Sequence, residues 1–265
     1  MNSDTVVETE FDSAVNVATQ SLCRFASLAL LDPRAGSWRQ LERPETKQLV
    51  TDAADLVRQV PRAAVSSFAR CERPLSDLDP GPILAAMPQS PEELNDTYER
   101  TFGLLVSGAC PPYETEYTDS SLAFQRSHGL ADVSGFYSAF GLKRSEEHPE
   151  RQDHIVLELE FVSCLLGLER QATESDDPLG PEQAAICRDA LARFVRQHLC
   201  WWSPTFAVLL TEEAGGGFYH AVGVFLAALV PALRGLLGVP APELPSAVTP
   251  SSAPRPEECE QCPIT

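Results

Sequence analysis

From about residue 12 to residue 237 apolar side chains recur at intervals of three and four, and no pair of alternating apolar and polar runs flanks an Asn-Gly or Asp-Gly turn. A chain whose only clear period is that of a helix has to bury helix against helix, so the expected fold is all-α, a single-domain helical bundle. With 265 residues, 43% hydrophobic and 22% charged, such a chain buries roughly 70–75% of its unfolded surface on folding. Order is therefore expected outside the ends.

Local signals divide the chain. A first helix is expected over residues 12–31, stopping before Asp32-Pro33, and a second from Pro44 with a break at Pro61. Ser90-Pro91-Glu92-Glu93 has the form of a capping box with proline in the first turn. Helices are expected at 121–127 and 130–140, the latter closed by Gly141, and then at 152–169, where a nearly all-round apolar surface predicts a place at the centre of the bundle. Further helices are expected at 181–199, at 205–214 after a cap-like Ser203-Pro204, and at 218–237 after Gly215-Gly216-Gly217. Residues 1–240 form the expected helical domain, with the loop 171–180 as its internal seam or, alternatively, the divide between two helical subdomains. Residues 241–265, rich in Pro, Ser and Glu, are expected to be a disordered tail.

The charge excludes one class of partner. With 38 acidic against 20 basic residues, a formal net charge of −18 repels phosphate backbones, so no nucleic-acid partner is expected and a basic partner is favoured. Met1 to Glu10 is polar and acidic, without the basic and apolar regions of a secretion signal, which predicts a cytoplasmic protein with reduced cysteines. The weakly charged stretch 218–239 contains His220, Pro231 and Arg234, and is expected to be a buried helix, not a stable membrane insertion.

Enzyme chemistry finds little support. The chain has no Gly-x-Ser-x-Gly elbow, no phosphate loop ending in Lys-Ser/Thr and no His-Glu-x-x-His pair. No Glu stands three positions before any of the five histidines, against a di-iron bundle. Cys259 and Cys262 offer two ligands where a structural zinc needs four. No catalytic residue, metal or cofactor is expected. Trp201-Trp202 reads as one core anchor beside one rim residue.

Two polar clusters remain. Cys110-Pro111-Pro112-Tyr113-Glu114-Thr115-Glu116-Tyr117 is an acidic-aromatic turn, and Glu150-Arg151-Gln152-Asp153-His154 opens the apolar helix. Taken alone, Asp153 reads as a helix cap. Between them runs Leu130-Ala131-Asp132-Val133-Ser134-Gly135-Phe136-Tyr137, and the helix continues Ile155-Val156-Leu157-Glu158-Leu159-Glu160-Phe161.

This order of segments resembles the TorD/DmsD/NarJ family of molybdoenzyme maturation chaperones, whose Glu-x-Pro-Asp-His-like motif is matched except that Gln152 stands where proline is usual. The Cys-Pro-Pro-Tyr-Glu turn looks most like the accessory proteins of periplasmic molybdenum dehydrogenases and chlorate- or selenate-type reductases. The resemblance implies a TorD/DmsD-like bundle that is not an enzyme. It also implies a cytoplasmic chaperone binding the precursor of a molybdopterin-containing oxidoreductase, by its twin-arginine signal peptide or its apo-catalytic subunit, until cofactor insertion. A monomer or homodimer is expected. Tyr113, Glu114, Glu116, Tyr117, Asp132, Tyr137, Asp153 and His154 are expected to form the client surface, acids receiving guanidinium groups and aromatics covering the leader. Two other readings stand beside it: a stable accessory subunit of the complex, or a helical ligand-binding or enzymatic domain using Asp153 and His154.

Overall fold

The computed structural model describes residues 3–103, 108–118, 123–143 and 150–243. Among these residues the regular structure is helical, with one isolated antiparallel bridge between Tyr113 and His154. The first helix, α1 (Ser3–Leu30), starts ahead of the expected residue 12 and buries Val15, Ala18, Leu22, Phe25, Ala26 and Ala29 along one stripe. It stops before Asp32, whose carboxylate accepts from the Arg34 amide and opens the 3-10 turn Pro33–Ala35.

After the single turn α2 (Trp38–Leu41), α3 (Pro44–Arg58) ends ahead of Pro61, which opens a second 3-10 turn, Pro61–Ala63. The short α4 (Gly81–Ala85) precedes α5 (Pro91–Phe102), where Ser90 Oγ accepts from the Glu93 amide at 3.2 Å. Glu93 in turn reaches back to the Gln89 amide at 2.6 Å, so the capping box forms with its return bond displaced by one residue.

Where two helices were expected at 121–127 and 130–140, the described residues form one, α6 (Ala123–Ala139); residues 121 and 122 lie outside the described residues. The helix passes straight through Gly129, where a Cβ would come within 3.1 Å of Thr115 Cγ2. Glycine at this position brings α6 against the 110–117 turn instead of breaking it.

The core is built by α7 (Ile155–Thr173), α8 (Gly180–Phe194), α9 (Cys200–Ala214) and α10 (Gly217–Leu237). α7 packs between α1 and α8, and α10 between α9 and α1. The 171–180 stretch is a tight corner: a Cβ at Gly180 would stand 2.6 Å from the Ala172 carbonyl oxygen.

The expected helix start at Ser203-Pro204 is corrected. The chain is helical without interruption from Gly180 to Ala214, and Pro204 lies inside α9. A π-helical turn, Val195–Leu199, precedes the proline, and Ser203 Oγ donates to the Leu199 carbonyl at 2.6 Å. A widened turn of this kind accommodates a residue that cannot donate to the ladder.

α10 is long and apolar enough to cross a membrane by length and composition, yet 72% of its most apolar window is buried inside the bundle. Its Arg234, 2% exposed, is paired with Glu72 through two bonds of 2.7 and 2.6 Å. Cys23, Cys71, Cys110, Cys164, Cys187 and Cys200 are free thiols. Of the expected tail only residues 241–243 are described; Cys259 and Cys262 lie outside the described residues.

Candidate functional site

The 110–117 turn and the mouth of α7 meet through the backbone. Glu114 N–H donates to the Asp153 carbonyl and Ile155 N–H to the Pro112 carbonyl, both at 2.9 Å. Pro111 and Pro112 have no N–H to leave unpaired, and both their carbonyls are used: Pro111 accepts from the buried Tyr117 hydroxyl at 2.9 Å. Adjacent prolines therefore suit a turn that supplies acceptors.

His154, not Asp153, caps α7. Its Nδ1 accepts from the Val156 amide at 3.1 Å, which fixes the proton on Nε2, and its ring stands edge-on to Tyr113 at 5.1 Å. Burial pushes its pKa down to about 4, against the opposing pull of Glu150 and Asp153. The expectation that Asp153 is the cap is thus corrected: the chain turns inward one residue before the helix, so the Asp153 side chain faces the turn, away from the free amides of α7.

Asp153 has 0% exposure and a full set of donors. Thr115 gives its amide (3.1 Å) and hydroxyl (2.7 Å) to Oδ2. Arg151 gives Nη2 to Oδ2 at 2.8 Å and Nε to Oδ1 at 3.1 Å. The same guanidinium donates to Glu116 at 3.0 Å and to Thr115 Oγ1 at 2.8 Å, and lies 4.1 Å from the centre of the Tyr113 ring. Tyr113 OH donates to Glu150 at 3.1 Å. Two of the four carboxylates expected to receive a guanidinium, Glu116 and Asp153, already hold one.

A second group lies deeper. Glu114, 4% exposed, accepts from Trp201 Nε1 at 2.7 Å and sits 3.1 Å from Nδ1 of the buried His198. Asp132, on the exposed face of α6, brings Oδ2 within 3.3 Å of His198 Nε2. Trp202 is fully buried and donates to Glu158 at 3.2 Å, while Trp201 is half-buried, the anchor and rim expected of the pair. Glu158 has 0% exposure and its pKa is raised well above the carboxylate range by burial, with Glu114 adding to the effect. Burial thus favours its neutral form.

Tyr137 fastens α6 to this frame. Its hydroxyl donates to the Gln152 carbonyl at 2.9 Å, and Ser134 donates to the Gln152 side chain at 2.8 Å. The residue that departs from the proline of the family motif is therefore a bridge between α6 and α7. Beside it opens a cleft of about 280 Å³ with Tyr137, Leu142, Leu157 and Phe161 among its walls and Glu150, Glu160 and Lys143 at its edge.

The turn thus gathers all eight expected residues, but not onto one surface. Glu114, Tyr117, Asp153 and His154 are buried, Tyr113, Glu116 and Tyr137 are half-buried, and Asp132 is exposed. The buried four make the bonds that fasten the turn. For the same reason Asp153 and His154 do not read as an acid–base pair: every oxygen of one and Nδ1 of the other serve the frame. His198, Arg151, Thr115 and Glu158 were missed as members of the site. The available signal for His198 was a lone imidazole in the helical stretch 181–199, which more often marks core packing. Among the described residues no group of three His, Cys, Asp or Glu side chains is placed to hold a metal ion.

Comparison with known proteins places these observations among relatives. The family model described as nitrate reductase delta subunit matches residues 72–208. The selenate reductase assembly chaperone protein of Thauera selenatis is 36% identical over 115 residues, 43% of this chain and 56% of that protein. The chlorate reductase assembly chaperone protein of Ideonella dechloratans is 35% identical over 109 residues, 41% of this chain and 53% of that protein. Chaperone protein TorD of Vibrio cholerae is 29% identical over 110 residues, 42% and 46% of the respective chains. The matched segment spans about half the length of these relatives.

Proposed function

The chain belongs to the nitrate reductase delta subunit family, and from that membership we propose that it is an assembly chaperone, not a catalyst, which holds the precursor of a molybdopterin-containing oxidoreductase until its cofactor is inserted. The observation that carries the reading is the cleft between α6 and the mouth of α7: an apolar wall of Tyr137, Leu142, Leu157 and Phe161 edged by Glu150 and Glu160, next to the guanidinium-binding carboxylates of Glu116 and Asp153. A twin-arginine leader joins an arginine pair to an apolar segment, and these two neighbouring environments accept both halves. Tyr113, Glu116, Asp132, Tyr137 and the guanidinium-binding Asp153 are the contact residues; Glu114, Tyr117 and His154 hold the walls in place.

The test is titration of a synthetic twin-arginine leader from a molybdopterin oxidoreductase of the same genome, followed by calorimetry. Leu157→Glu sets a charge in the cleft wall and should weaken binding at least tenfold, about 1.4 kcal/mol. Equal affinity for a scrambled leader, or co-purification only with cofactor-loaded mature enzyme, refutes the chaperone reading in favour of a permanent subunit.

A further inference from the structure

The site around Arg151 is a complete receptor for a planar cation. Asp153 meets the guanidinium side-on with both oxygens, Glu116 takes Nη1, Thr115 takes Nη2, and Tyr113 covers the face at 4.1 Å. Such a fork is the geometry that favours arginine over lysine. Its walls are built without the arginine: the Asp153 carboxylate is held by the Thr115 amide and hydroxyl, its carbonyl by the Glu114 amide, and α7 is capped by His154. The arginine itself comes from the rim. Its side chain is 35% exposed while the Asp153 carboxylate beneath it is 0% exposed.

We propose that Tyr113, Thr115, Glu116 and Asp153 form a guanidinium receptor that Arg151 occupies in cis, and that an arginine of a bound partner segment takes the site by displacing it. The partner's identity as a leader rests on the chaperone reading above; the receptor does not. Self-occupation keeps the buried carboxylate paired in the free protein. It also reduces the apparent affinity for an arginine-bearing partner by the fraction of molecules in which Arg151 is seated.

Arg151→Gln removes the guanidinium from Asp153 and Thr115, while Glu116 keeps a second ion pair, to Arg126 at 3.3 Å. The variant's melting temperature should rise saturably with millimolar methylguanidinium and not with methylammonium, whereas the wild type should not respond. The variant should also bind a twin-arginine leader at least tenfold more tightly than the wild type, with no such gain for the twin-lysine leader. If Arg151→Gln does not fold alone, recovery of folded protein in methylguanidinium but not in methylammonium is the equivalent readout, and Arg151→Lys, which keeps the charge without the fork, serves the leader titration. No saturable methylguanidinium effect, or weaker leader binding by the variant, overturns the proposal and leaves Arg151 as a structural ion pair. A methylguanidinium effect with no leader binding by either protein upholds the receptor and removes the leader from the chaperone reading.

Discussion

The cap of α7 makes the stability of this protein depend on pH through one residue. His154 is 4% exposed, and its Nδ1 lone pair accepts the Val156 amide at 3.1 Å. A proton on Nδ1 would face that N–H, so the charged ring cannot cap the helix. Burial lowers the folded pKa from 6.5 to about 4, below its unfolded value, and protonation therefore favours the unfolded chain. The stabilisation is complete above about pH 6.5 and is lost as pH falls towards about 4. One pKa unit corresponds to about 1.4 kcal/mol, so the loss approaches about 3 kcal/mol, or about 6–12 °C in melting temperature for a chain of this size. His154→Asn keeps an N-cap acceptor and removes the titration. Melting both proteins across this range isolates the residue, because the acids and bases beyond its neighbours Glu150, Arg151 and Asp153 contribute alike to both. The wild type's advantage over the variant should be constant above neutrality and shrink by several degrees on acidification. A difference that does not vary with pH refutes the reasoning.

Two further substitutions test the buried carboxyl groups. Glu158, with its folded pKa raised, opposes His154 in sign: stability is greatest below about pH 4.5 and falls as pH rises towards the raised value, by at most about 1.4 kcal/mol per pH unit. Glu158→Gln should abolish that slope and stabilise the protein as pH rises, and parallel melting curves for the two proteins from acid to neutral pH would refute the raised pKa. Asp153→Asn should leave the helical circular dichroism unchanged, since His154 caps α7, but cost roughly 1.5–3 kcal/mol in denaturant titration, towards the lower value because Arg151 is partly solvated. A variant as stable as the wild type would mean that the Arg151 pair contributes nothing.

How much of this was legible depends on how far apart the interacting residues lie. The α5 start at Ser90-Pro91, the break at Pro61 and the buried stripe of α1 follow from residues within about one turn of each other, and the sequence alone determined them. So did the all-helical class. The expected break between residues 127 and 130 and the expected start at Pro204 both fall inside helices: Gly129 makes room for Thr115, and Pro204 follows a π turn. Those outcomes are set by packing, which local propensity does not contain.

The two motifs were recognisable as polar clusters, but only the tertiary structure decided what each side chain does in them. Asp153 bonds to Thr115 across 38 positions and His198 approaches Glu114 across 84. No local pattern encodes which carboxylate turns inward when such segments meet. The sequence by itself settled that a bundle forms and that an acidic-aromatic turn and a helix mouth are its polar features. Folding decided that His154 takes the cap, that four of the eight expected residues are buried, and that Arg151 fills the receptor, because a guanidinium two residues away is the nearest partner for a carboxylate withdrawn from water.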